Sequence, residues 1–281
     1  MSELNSKKKA VVTGTTSGLG MVLASLLADA GWDLVLINRS RERTESMLEG
    51  IRAKHPDRQA WVYTADLSDQ DDVRAAAEQV LHEHPTVHAL FNIAGVLTRE
   101  QRVSKHGHDL NLQVNTIAPW MLTRLLRPAL AAGAAEVGRA VVVTVSSSAI
   151  ANSGPLRVDG LSQPAKQGLF GSYAQSKLAL TLATSMLARE LDEDGVHIYA
   201  VDPGANRTPM TTGSSAPRLV RWAQALLPPP EKGAAKLIAP LDDSWADRSG
   251  SLIARGKVKP IPKQADTPAN RAALEELLRF E

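Results

Sequence analysis

The chain has 281 residues, 43% of them hydrophobic and 22% charged, with a formal charge of +2 and no cysteine. That is enough apolar sequence for a sizeable core and too little net charge to argue for nucleic acid or an anionic membrane as partner. Disulfides, thiol nucleophiles and thiolate metal sites are excluded. No stretch reaches 18 consecutive apolar residues and no charged-then-apolar leader opens the sequence, so no membrane span is expected and a cytoplasmic protein is the default. Lys7, Lys8 and Lys9 form a short basic run that reads as a solubilising N-terminal tail.

The first 150 residues alternate short apolar runs with longer amphipathic segments. KAVVTG (9–14) reads as a buried strand running into a glycine turn, and GLGMVLASLLADAG (18–31) as a helix ending at Gly31. DLVLIN (33–38) is a second strand, followed by a charged helix from Ser40 to about Lys54. QAWVYTAD (59–66) is a third, and the helix from about Asp69 to His84 opens on aspartates, as a helix dipole favours. VHALFNIAG (87–95) and RAVVVTVSSS (139–148) are the fourth and fifth strands, with helical sequence between them. SYAQSKLALTLATSMLARELDEDG (172–195) is a long helix closed by Gly195, and VHIYAVDPG (196–204) a sixth strand. This alternation predicts right-handed βαβ crossovers in a doubly wound α/β domain, a Rossmann-type parallel sheet with helices on both faces. Beyond about Asn206 the pattern loosens into an amphipathic stretch at 214–227, a proline break at 228–230 and a short helix over 231–241. Thr267 as N-cap and Pro268 at the first helical position start a last helix over 267–280. With no repeat and no low-complexity linker, the change at Asn206 marks a subregion of a single domain.

Two local patterns carry chemistry. TGTTSGLG places Gly14, Gly18 and Gly20 between the first strand and first helix, where backbone amides and a helix N-terminus suit a pyrophosphate. Its spacing, G-x3-G-x-G, differs from the commoner G-x-G-x-x-G. YAQSK puts Tyr173 and Lys177 one helical turn apart on one face. A protonated lysine there favours the phenolate, so the tyrosine pKa is expected to fall from about 10 toward neutrality. The histidines, including His82, His84, His88, His106 and His108, lack a metal-ligand pattern and read as polar surface residues, so no metal is expected.

Taken together these motifs resemble the short-chain dehydrogenase/reductase family over nearly the whole chain. The glycine motif matches Thr13 to Gly20, which implies that Gly14, Thr16, Ser17, Gly18, Leu19 and Gly20 contact the dinucleotide. The family's Asp-Leu adenine contact falls on Asp66 and Leu67. Its N-N-A-G stretch falls on NIAG, with Asn92, Ala94 and Gly95 retained and Ile93 departing. The helical asparagine matches Asn115, and the serine ending the fifth strand matches Ser147 within Ser146–Ser148. The turn after the sixth strand, DPGANRT, supplies Pro203, Gly204 and Thr208.

The resemblance implies an oxidoreductase that moves a hydride between a nicotinamide cofactor and a carbonyl/alcohol pair. Tyr173 would be the proton donor or acceptor, Lys177 would hold the nicotinamide ribose and lower the tyrosine pKa, and Ser147 would hydrogen-bond the substrate oxygen. Asn115 would hold a water linking the lysine to solvent. Ser146 and Ser148 leave the register of the serine open; alternation along a strand favours Ser147. Asn38 stands where an acid would select NAD, and Arg39 follows, with Arg43 a turn later, so NADP(H) is the expected cofactor. The 25 residues between Ser147 and Tyr173 exceed the family's compact members and resemble the retinol-dehydrogenase and protochlorophyllide-reductase branch. The missing cysteine disfavours light-dependent protochlorophyllide reduction. Segments 149–172 and 206–227 are expected to wall a largely apolar substrate cavity, Met210 and Trp222 among them, for a bulky ketone or aldehyde. A homodimer through the Tyr173 helix is possible within the family. A non-catalytic NADP(H)-binding regulator and a sugar-nucleotide epimerase or dehydratase stand as alternatives.

Overall fold

The structure is a computed structural model that describes residues 8–98, 102–161, 171–208 and 227–279. Strands β1 (Lys9–Thr13), β2 (Asp33–Asn38), β3 (Ala60–Thr64), β4 (Ala89–Asn92), β5 (Ala140–Val145) and β6 (Val196–Asp202) are all parallel to their neighbours. With β7 (Leu252–Ala254) and β8 (Lys257–Lys259), they form one sheet in the order β3-β2-β1-β4-β5-β6-β7-β8.

Side chains alternate across this sheet, so each face has its own core. Ala10, Val12, Leu34 and Leu36 pack under helices α1 (Gly18–Asp29) and α2 (Arg41–Lys54). Val11, Val35 and Ile37 face the other layer, built by α3 (Gln70–Glu83), α5 (Ala118–Leu125), α6 (Arg127–Val137) and α7 (Gly171–Asp192). The short turn α4 (Leu110–Leu112) leads through a π-helical stretch, Gln113–Ile117, into α5. Helix α8 (Pro230–Ile238) packs on α1, and α9 (Pro268–Leu277), capped by Thr267, packs on α7.

The strands β4 and β5 are shorter than the sequence predicts because the chain turns out of the sheet after each of them. Thr13 Oγ1 accepts from both Ile93 N and Ala94 N at 3.0 Å, bending the chain after Asn92 over the end of β1. The hairpin β7–β8 has no counterpart in the sequence reading. Three-residue strands are too short to show a period, and the turn at Arg255 and Gly256 has φ of 55° and 69°, as a tight hairpin requires. Two histidines read as surface residues are core. His84 lies against Trp61 and bonds the Tyr63 hydroxyl at 2.9 Å; His88 Nδ1 accepts from Lys9 N at 3.0 Å. Lys9 itself is the first residue of β1 rather than part of a tail.

Of the expected substrate segment 149–172, Ala149 and Asn152 line the cleft, and a few apolar side chains are core. Leu156, Val158 and Leu161 bury in the α7-side layer beside α9, while residues 162–170, with Leu169 and Phe170, lie outside the described residues. The same holds for 209–226, which contain Met210, Trp222 and most of the other expected wall.

Candidate active site

Strand order reverses beside β1, which pairs with β2 on one side and β4 on the other; a crevice opens there at the carboxyl ends of the strands. Gly14, at φ 72°, ends β1, and a Cβ on it would lie 2.7 Å from Ala94 Cα. A Cβ on Gly20 would lie 2.2 Å from Gly14 O, so the turn and the first turn of α1 touch backbone to backbone. Ser17, the N-cap of α1, makes no side-chain cap, and Thr16, Ser17, Gly18 and Leu19 line the cleft at this helix N-terminus. An anionic group is favoured at such a terminus.

Asn38 lines the cleft at the end of β2 and has a second tie that its sequence position does not reveal. It is buried, its Oδ1 accepting from Thr15 N (2.8 Å) and its Nδ2 donating to Thr15 Oγ1 (2.7 Å). The amide braces the glycine turn. Next to it, Arg39, the N-cap Ser40 and Arg43 line the rim, and Arg39 and Arg43 are exposed. Asp66 accepts from Ser68 N and Ser68 Oγ, which shapes the turn carrying Leu67 into the cleft. Asn92 lies behind the cleft wall, its Nδ2 donating to Thr123 Oγ1 at 3.3 Å; Ala94 and Gly95 form the wall itself.

At the other end of the cleft the serine triplet separates into three environments. Ser146 is buried with its hydroxyl on Thr181 Oγ1 at 2.8 Å, and Ser148 is exposed at the start of a 3-10 turn. Ser147 and Tyr173 both line the cleft here, and the serine hydroxyl pulls the phenol pKa down. Ala149 N donates to Ser147 Oγ at 3.2 Å, so the serine oxygen is held from the backbone of the 3-10 turn. Strand alternation separates only Ser146 from Ser147, because β5 ends at Val145.

Tyr173 and Lys177 do share one face of α7 and both line the cleft. The expected depression of the tyrosine pKa does not occur. Burial pushes the Tyr173 phenol up, the Ser147 hydrogen bond pulls it down in part, and the Asp202 carboxylate adds to the rise. Burial also brings the Lys177 amine down to about 7, and Nζ donates to Val145 O at 2.7 Å. Removal from water opposes both charges at once, so it outweighs the attraction between them. Asn115, in the π-helical stretch, holds Val96 and Ser176 rather than Lys177: Val96 N donates to Oδ1 at 2.9 Å, and Nδ2 donates to Val96 O and Ser176 Oγ.

The remaining wall comes from Asp202, Pro203, Gly204 and Thr208 after β6. Lys236 of α8 fastens this turn by donating to Pro203 O at 2.9 Å, a contact with no signal in the sequence because the two residues are far apart in the chain. The strip Val96–Thr98 and the segment 102–105 also line the cleft, and the sequence reading named neither. The cavity measures about 1050 Å³, at the upper end of small-molecule sites. Its length, from the α2 N-terminus past the close-packed glycine turn to Tyr173, fits a dinucleotide with room for a substrate.

A glycine turn at the sheet's switch point, with a serine, a tyrosine and a lysine converging at the far end of its cleft, defines a dinucleotide-binding oxidoreductase fold. The chain belongs to the short chain dehydrogenase family, whose model matches residues 8–218. It is 34% identical over 273 residues to dehydrogenase/reductase SDR family member 13 of Bos taurus, covering 94% of this chain and 71% of that one. It is 35% identical over 208 residues to human retinol dehydrogenase 12, covering 74% and 64%; the chain spans less than two thirds of that relative's length. Its place is in the retinol-dehydrogenase-like branch. Among solved structures, 3-ketoacyl-(acyl-carrier-protein) reductase from Brucella melitensis, complexed with NADH, is 25% identical with a TM-score of 0.69 over 89% of this chain and 97% of that one. L-sorbose reductase from Gluconobacter frateurii, at 20% identity and TM-score 0.71 over 89% and 95%, shares the fold. No helix among the described residues is long and apolar enough to cross a membrane.

Proposed function

We propose that this chain is an NADP(H)-dependent oxidoreductase that interconverts a carbonyl and an alcohol, with a bulky, apolar ketone or aldehyde as its substrate. The observation that carries the reading is that Ser147, Tyr173 and buried Lys177 line one end of a cleft of about 1050 Å³ whose other end is the glycine turn. NADPH would supply the hydride. Gly14, Thr16, Ser17, Gly18, Leu19 and Gly20 would hold its pyrophosphate, and Leu67, with Asp66, its adenine. Ala94, Gly95, Pro203, Gly204 and Thr208 would line the path to the nicotinamide. The exposed Arg39 guanidinium at the start of α2, with Arg43, would meet a ribose 2′-phosphate by charge-assisted hydrogen bonds.

The chain's own chemistry lies at the other end. Tyr173, kept neutral by burial, holds a proton at its hydroxyl that can pass to the carbonyl oxygen. Ser147, its oxygen held by Ala149 N, would donate to the same oxygen as charge builds there. Lys177, with a pKa near neutrality, can take up or give a proton beside the phenol. Val96, Leu97, Val145 and Ala149 put apolar surface beside these polar groups, which supports the substrate class.

A panel of ketones and aldehydes with the purified protein, followed by NADPH absorbance, tests the reading. Tyr173→Phe should lower kcat about a hundredfold or more, as loss of a positioned acid does, while NADPH affinity stays within about twofold. Turnover in the variant close to that of the parent would remove Tyr173 from the role.

A further inference from the structure

Two asparagines four residues apart, Asn111 and Asn115, are both fully buried and make parallel sets of contacts. Asn115 Oδ1 accepts from Val96 N (2.9 Å), and its Nδ2 donates to Val96 O (2.9 Å) and Ser176 Oγ (3.1 Å). Asn111 Oδ1 accepts from Thr98 N (2.9 Å), and its Nδ2 donates to Ser172 Oγ (2.7 Å) and Thr98 Oγ1 (2.9 Å), with Thr98 O at 3.3 Å. Each side chain therefore joins the same two structures: the strip after β4 and the first turns of α7.

The match follows from three periodicities. Residues i and i+4 of a helix stand about 6 Å apart along its axis, and residues i and i+2 of an extended chain about 6.7 Å. Asn111 and Asn115, Ser172 and Ser176, and Thr98 and Val96 therefore come level in pairs, with α7 running alongside and the strip running the opposite way. Asp109, itself buried, fixes the outer pair by accepting from Asn111 N (2.9 Å) and Leu112 N (3.2 Å). The inner pair is tied further by Ser176 Oγ donating to Tyr173 O and Thr116 Oγ1 donating to Ser176 O, both at 2.8 Å.

We propose that Asn111 is a positioning residue, the outer rung of a two-rung ladder that makes the cleft-lining strip Val96–Thr98 and the helix bearing Tyr173 and Lys177 move as one body. Leu97, between the two tied residues, packs on Ala149, Tyr173 and Ala174 and lines the cleft. Slack in the strip is therefore slack at the phenol. The consequence for turnover rests on the proposed reductase reading; the mechanical coupling does not.

Amide hydrogen exchange on the full chain, read at Val96 and Thr98 by NMR, separates a ladder from two independent contacts. In Asn111→Ala, Thr98 protection should fall by about tenfold and, across the rung, Val96 protection by at least about threefold. Ser172→Ala, which deletes one acceptor of the same amide, should lower both in the same sense, and the double variant should be no worse than Asn111→Ala alone. In the reductase assay, kcat should fall about tenfold with NADPH affinity within about twofold. Unchanged Val96 protection in folded Asn111→Ala, or additive effects in the double variant, would overturn the ladder. Should Asn111→Ala fail to fold, Ser172→Ala decides: normal Val96 protection or a kcat within about twofold of the parent overturns it. If the parent reduces no carbonyl compound yet Val96 protection follows Asn111, the functional reading falls and the ladder stands.

Discussion

At the scale of single residues, desolvation decides what the site's ionisable groups do. Lys177 is almost wholly buried, and its one hydrogen-bond partner among the described residues, Val145 O, is a neutral carbonyl. Its amine therefore ionises at about 7 in the folded chain against the ordinary 10.5. Between those two values the unfolded chain binds more protons than the folded one, so this residue makes stability rise with pH from about 7 toward 10. Lys177→Met fills similar space without a charge to bury. It should raise the thermal midpoint more at pH 6 than at pH 9, by an amount equivalent to a few kcal/mol between the two, while turnover is lost. Melting curves of both proteins at the two pH values check it; an equal difference at both would mean that the amine is not desolvated. Tyr173 follows the same rule with the opposite sign: burial keeps it protonated at neutral pH, as the proposed role of proton donor requires.

At the scale of elements, the end of β2 separates two functions that adjacent residues perform. Both Asn38 and Arg39 line the cleft, but the Asn38 amide is tied to Thr15 and braces the glycine turn, whereas the Arg39 side chain is exposed on the rim. Asn38→Ala should therefore cost roughly 1–3 kcal/mol of stability, because Thr15 N is left buried without its acceptor, and, by loosening the glycine turn, weaken NADPH and NADH alike. Arg39→Asp should weaken NADPH selectively, replacing a charge-assisted phosphate contact with repulsion. Titrating both cofactors against both variants distinguishes these outcomes; a selective loss in Asn38→Ala would show that its amide reaches the ribose.

At the scale of the whole molecule, the last helix braces the part of α7 far from Tyr173. Leu274 of α9 is fully buried under α7, and Arg271 donates to Ser185 Oγ at 3.3 Å; Ser185 stands about 18 Å along the helix axis from Tyr173. Leu274→Ala should cost about 2–5 kcal/mol of stability, read as a lower denaturant midpoint, with kcat unchanged well below the transition. A loss of kcat in the folded variant would mean that α9 holds the catalytic end of α7 as well. From β1 to β6 and again at α9, periodicity, glycine ends and capping residues determine where each element lies, because those signals act within a few neighbours. They also determine which residues come to the strand ends and so to the cleft, from Gly14 through Ser147 to Lys177. What distant contacts set could not be read this way. The short β7–β8 hairpin exists because β6 offers it an edge, and Lys236 meets the Pro203 turn only once α8 has packed on α1. His84 and His88 are core only because neighbouring strands and helices close over them. The tie made by Asn38 depends on a partner 23 residues away, and the direction of the Tyr173 pKa depends on how much water the assembled layers exclude. Local pattern determined the elements and the nominees for the site; burial, which exists only in the folded whole, decided their orientation and charge.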